Sequence, residues 1–237
     1  YLENLYLMEK NKEVSFSENY IVNSELDKKN SIVISDVSFK YFNSDEYIFE
    51  NLNLEIPRGK HIVITGVNGS GKSTLLGLLS GVFYAEKGNV KSFTSKLGYV
   101  GASPMIINST LRENLTYGID KEISDQEMFE IIDLFKLFNK KNTTLEKKIS
   151  NKTLSMGQMQ KIAFMRALLS GVEVLILDES TSNLDEESKK LIFKILKEAK
   201  ITIINSTHNK RDFENVDLYI ELVISLEGKR ELMLTSN

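Results

Sequence analysis

The chain has no cysteine, two prolines and two histidines among its 237 residues. Without thiols it can form neither disulfides nor thiolate metal sites, which fits a reducing compartment. Two histidines are too few for a histidine-rich metal centre. No apolar run approaches the roughly 20 residues needed to cross a bilayer, and no signal peptide is visible. A basic excess is missing too: 30 Lys and Arg against 33 Asp and Glu leave a formal charge of −3. No global basic field therefore points to nucleic acid, and none is expected as a partner. The sequence begins at Tyr1 rather than methionine, which reads as a piece of something longer.

What remains is ordinary for a folded protein. The hydrophobic content is 41%, and the length suits one large domain or a core with an inserted subdomain. Residues 1–30 are polar and charged apart from Leu2, Leu5 and Leu7, and read as a linker or connecting helix. "SIVISDVSFKY" (31–41) and "YIFENLNLEI" (47–56) alternate like strands, and "KHIVIT" (60–65) reads as a buried parallel strand. A helix "KSTLLGLLSGV" (72–82) follows, then a strand "KLGYV" (96–100). The pattern predicts an amphipathic helix over 124–138 with Ser124 as its N-cap, and another helix over 156–170. Next come a buried strand "VEVLIL" (172–177), a helix from about Asp185 and a strand "ITIIN" (201–205). The end reads as strands with a turn at Glu227-Gly228. Strands alternating with helices argue for a parallel α/β core. The extra helices predict an inserted helical subdomain over about 103–170, and no internal repeat is visible.

Three stretches carry chemistry. "GVNGSGKST" (Gly66–Thr74) fits G-x-x-x-x-G-K-[ST] between a strand and a helix. Its glycines let backbone N–H groups of Gly66, Asn68, Gly69, Ser70 and Gly71 converge on phosphate oxygens, with Thr74 in the first helical turn. Lys72 is placed to reach the β- and γ-phosphates, and Ser73 to ligate Mg²⁺. "VLILDES" (174–180) ends a buried strand in Asp178 and Glu179, at the edge where parallel sheets bind ligands. Asp178 suits a hydrated Mg²⁺ carried by the nucleotide, and Glu179 can orient or deprotonate a water. His208 follows the next strand and reads as a γ-phosphate contact at the same edge.

"TLSMGQMQK" (153–161) has two readings. Ser155 and Gln158 form an S-x-x-Q capping box, while the free N–H groups and the helix dipole also favour an anion. The Ser155 hydroxyl can cap its own helix or donate to a phosphate. Met156 blocks an approaching ligand only if its side chain points toward it.

Taken together, the phosphate loop, "LILDE", "SNLD" (Ser182–Asp185), the later histidine and "LSMGQ" resemble the nucleotide-binding domain of ATP-binding-cassette (ABC) proteins, over residues 31–226. The resemblance implies a P-loop NTPase fold of RecA-like type: an α/β parallel-sheet core with an antiparallel β subdomain and the inserted helical subdomain. It implies an ATPase domain over 31–237 that pairs head-to-tail with a second such domain around two ATP and Mg²⁺. Each ATP would then lie between one phosphate loop and Ser155, Gly157 and Gln158 of the other subunit, with Ser182 and Asp185 acting across the pair. Tyr41 matches the aromatic that stacks on adenine.

The stretch "YVGASPMIINSTLRENL" (99–115) is similar to exporters, in which transmembrane and ATPase domains share one chain. This implies a motor at the cytoplasmic face of a membrane, which is the inner membrane in a bacterium. A soluble ABC-type ATPase and a weakly hydrolysing switch are the alternatives. Two residues depart from the family pattern. Ala102 stands where a glutamine is usual, with Ser103 as a neighbour able to replace its contact. Met156 stands at the first glycine of the usual signature. Both homodimers and asymmetric heterodimers are compatible with these changes.

Overall fold

A computed structural model describes residues 19–23, 27–42, 44–138, 144–207, 213, 216–225 and 228–236. Most of the expected connection, 1–18 and 24–26, lies outside the described residues, as does His208. In chain order the elements are β1 (Tyr20–Val22), β2 (Asn30–Phe39), β3 (Phe49–Pro57), β4 (His61–Gly66), α1 (Lys72–Ser80), β5 (Lys87–Ser92), β6 (Leu97–Gly101), β7 (Ser109–Thr110), α2 (Leu111–Thr116), α3 (Asp125–Leu134), β8 (Lys148–Ile149), α4 (Met156–Ser170), β9 (Val174–Asp178), α5 (Glu186–Glu198), β10 (Thr202–Ser206), β11 (Leu218–Ile224) and β12 (Arg230–Ser236). They fall into two compact units, residues 96–206 and the remainder on either side of them.

The first unit contains a sheet in the order β1-β5-β2-β3. β2 pairs antiparallel with β3 and with β5, and β1 runs parallel to β5. The sheet thus begins within the stretch expected as a connection. β3 has one wet face: Phe49, Leu52, Leu54 and Ile56 are buried while most of the residues between them are exposed. That alternation is the signature of a half-buried strand. β4 has no such wet face. Ile62, Val63 and Ile64 are all fully buried, and β4 pairs in parallel with β11, which β12 extends antiparallel. Leu75, Leu76, Leu78 and Leu79 of α1 are fully buried as well.

In the second unit β9 lies between β6 and β10, parallel to both. Its Val174–Leu177 run is fully buried, as expected for a parallel strand covered on both faces. One core joins these strands to the helices, with Phe135, Ile162, Phe164, Met165, Ile192 and Leu196 among its least exposed members. Ile162, Met165 and Leu169 face inward as their spacing predicts. Ser124 caps α3 through a complete capping box. Among the described residues no helix is long and apolar enough to cross a membrane.

Candidate functional site

In the first unit the phosphate loop connects β4 to α1. Gly66 has φ of 150°, and a Cβ there would sit 2.6 Å from both the Leu222 carbonyl oxygen and the Ser70 hydroxyl. Only glycine fits. Gly69 and Gly71 also take positive φ, 80° and 101°. Gly71 is the N-cap of α1 and brings no side-chain cap, so the first-turn N–H groups receive no side-chain acceptor from it. The Lys72 ammonium is carried into the loop, where it donates to the Gly66 and Val67 carbonyls at 2.8 and 3.1 Å. Ser70 is fully buried and its hydroxyl has no hydrogen-bond partner. Ser73, Asn68 and Gly69 are exposed. A buried cation, an orphaned hydroxyl and an uncapped helix start make a cradle suited to phosphate.

Tyr41 and Thr74, widely separated in the chain, meet here: their hydroxyls lie 2.6 Å apart. The Tyr41 ring stands edge-on to Phe39 and Phe83, with centroids 5.2 and 5.7 Å away. Three contacts thus fix this ring while it stays 43% exposed, as a stacking platform requires. Thr74 is buried and serves as the hydroxyl anchor of Tyr41, a pairing that sequence spacing does not reveal.

In the second unit Asp178 closes β9, and its Oδ2 accepts a hydrogen bond from the Tyr99 phenol at 2.9 Å. Burial, and then this carboxylate, push the Tyr99 phenol well above its ordinary pKa, so it remains a donor. Glu179 adopts φ of 50°, the left-handed region that a residue with a side chain seldom occupies. Its carbonyl accepts the Ser182 hydroxyl at 2.9 Å, and its N–H reaches the Ser206 carbonyl at 3.3 Å. Asp185 caps α5, accepting the Ser188 N–H at 2.7 Å and the Ser188 hydroxyl at 3.2 Å. The Ser188 N–H foremost holds this carboxyl below the usual range. Among the described residues no group of three His, Asp or Glu side chains could hold a metal. The Asp178 carboxylate, at the end of β9, is a hard oxygen ligand of the kind a divalent ion takes alongside phosphate and water.

α4 starts with the expected capping box. Ser155 Oγ accepts the Gln158 N–H at 3.2 Å, and Gln158 Oε1 accepts the Ser155 N–H at 2.9 Å. The hydroxyl acts as acceptor in the cap, so its own proton stays available. Capping and donation are therefore compatible rather than competing. Met156 is 43% exposed. A Cβ on Gly157 would meet nothing nearer than 3.7 Å, so packing within the chain does not demand glycine. Gln160, which sequence reasoning passed over, is fully buried and ties α4 to β6 by donating to the Gly101 carbonyl at 3.1 Å. Ala102 offers a carbonyl, 3.5 Å from the Asn183 amide nitrogen.

A family profile described as ABC transporter matches residues 49–182. The chain is 34% identical over 217 residues to ABC transporter B family member 17 of Arabidopsis thaliana, covering 82% of this chain and 17% of that protein. It is 32% identical over 221 residues to the energy-coupling factor transporter ATP-binding protein EcfA1 of Mycoplasmopsis synoviae, covering 84% of this chain and 80% of that one. In fold it is similar to a bacterial Atm1-family ABC exporter solved with ATP bound, with a TM-score of 0.78 and 22% identity over 91% of this chain and 40% of that one. The chain spans about a sixth of the length of the Arabidopsis relative. It belongs to the ABC transporter family, as one of its ATP-binding ATPase domains.

Proposed function

We propose that this domain is the ATP-hydrolysing motor of a membrane exporter, working at the cytoplasmic face in a head-to-tail pair around two ATP. The observation that carries the reading is the phosphate loop, with Lys72 buried inside a glycine cradle. The N–H groups of Gly66, Asn68, Gly69, Ser70 and Gly71 bind the phosphate oxygens, and Lys72 neutralises charge on the β- and γ-phosphates. Tyr41 stacks on the adenine. Ser73 and Asp178 would hold Mg²⁺, which would supply positive charge to offset that of the phosphates. Glu179 orients the attacking water and accepts its proton, and His208 contacts the γ-phosphate. Ser155, Gly157 and Gln158 serve the ATP of the opposite subunit, with Asp185 and Ser182 at the same seam. Transmembrane segments, on this chain's full-length product or on a partner, receive the motion. The exporter reading rests on the 99–115 pattern.

A second reading follows from the 80% coverage of the Mycoplasmopsis protein. The domain would then be a separate ATP-binding subunit that docks on membrane partners. The mass of the native product, measured after detergent extraction, separates the two.

Steady-state ATPase tests the motor itself. Lys72→Ala and Glu179→Gln are each expected to lower the rate by about 10²-fold or more. Equal rates in wild type and both variants would leave the reading without support.

A further inference from the structure

Asp178 ends β9 opposite Gly101 of β6, and Tyr99 stands opposite Ile176. Side chains two residues apart share a face of a sheet. Tyr99 and Asp178 are therefore diagonal neighbours on one face, at a separation that a long aromatic side chain can span. The phenol does span it, reaching Oδ2 at 2.9 Å. Among the described residues no other side chain donates to this carboxylate. Packing does not explain the tyrosine, because it is 52% exposed while the next residue, Val100, is buried in the core. The strand ends at Gly101 and Ala102 follows it; neither has a side-chain donor to offer.

We infer that Tyr99 is a positioning residue for Asp178. A carboxylate turns freely about the bond to its stem. One bond to Oδ2 fixes its plane and leaves Oδ1 turned to a fixed direction. In the setting proposed above, on which this inference rests, Oδ1 is the oxygen that would be left for the metal. The tyrosine acts through the carboxylate that it holds. Loss of the hydroxyl lets the carboxylate rotate and admits water, while the phenyl ring is kept. Outer partners of metal ligands commonly govern affinity in this way.

The test measures binding of trinitrophenyl-ATP to the 237-residue chain by fluorescence, first in EDTA and then across a Mg²⁺ titration. Wild type, Tyr99→Phe and Lys72→Ala are compared. Tyr99→Phe is expected to bind the nucleotide in EDTA as wild type does, and to need about tenfold more Mg²⁺ for half of the metal-dependent change. Lys72→Ala is expected to lose binding in both arms. A Tyr99→Phe protein with an unchanged Mg²⁺ midpoint overturns the inference while leaving the phosphate-loop reading intact. An equal loss in both arms also overturns it, since the tyrosine would then be supporting the fold. Wild type binding no nucleotide in either arm overturns the functional reading and this inference with it.

Discussion

Two helices start at the two candidate phosphate sites, and they start in opposite ways. α1 begins after Gly71, a left-handed glycine with no side chain to spend on the helix. α4 begins after Ser155, which forms a complete capping box with Gln158. The first start leaves backbone N–H groups for an anion and surrounds them with a buried lysine. The second satisfies the N–H groups of Ser155 and Gln158 and presents a hydroxyl as well. One site is built from what the side chains omit, the other from what a side chain can do twice. The glycines differ accordingly. Gly71 is held by its own surroundings, with Phe49 3.0 Å from where a Cβ would be, whereas Gly157 has open space.

Three substitutions press on this contrast, in falling order of their effect on folding. Gly71→Ala forces a Cβ onto φ of 101° against the Phe49 ring. It is expected to cost about 2 kcal/mol and to abolish nucleotide binding. Urea denaturation beside a binding titration measures both. Ser155→Ala removes the cap and is expected to cost about 1 kcal/mol, read as a lower urea midpoint with an unchanged slope. Gly157→Ala is expected to leave stability within about 0.5 kcal/mol of wild type or to raise it slightly. Yet it is expected to lower ATPase wherever the activity requires a second subunit to approach α4. Full ATPase in Gly157→Ala would show that nothing closes on this glycine, and the contrast between the two starts would lose its functional meaning.

Much of this was legible in the chain alone. α4 runs from Met156 to Ser170 as its periodicity and flanking Ser155 and Gly171 indicate. The capped start of α3 at Ser124 was equally explicit. β5 was not, because "KGNVKS" is polar and buries only Val90 and Ser92. It becomes a strand because β1 and β2 supply partners on both sides. α2 was missed although Thr110 and Glu113 spell a capping box, since six residues are too few for periodicity to register. In the candidate site, local spacing pointed to the glycines, Lys72 and Asp178. It could not reveal the Tyr41–Thr74 or Tyr99–Asp178 bonds, whose partners are 33 and 79 residues apart. Those bonds are products of strand register and helix packing, which exist only after the chain has folded.

The hydroxyl at the start of α4 has one more consequence. In accepting the Gln158 N–H, Ser155 oxygen becomes more polarised, and the proton it still carries becomes a better donor. One donor at the helix start is thus a proton that swivels about a single bond, beside backbone donors that are fixed. A fixed donor must be met at one angle. A swivelling one can turn to meet an oxygen over a range of angles.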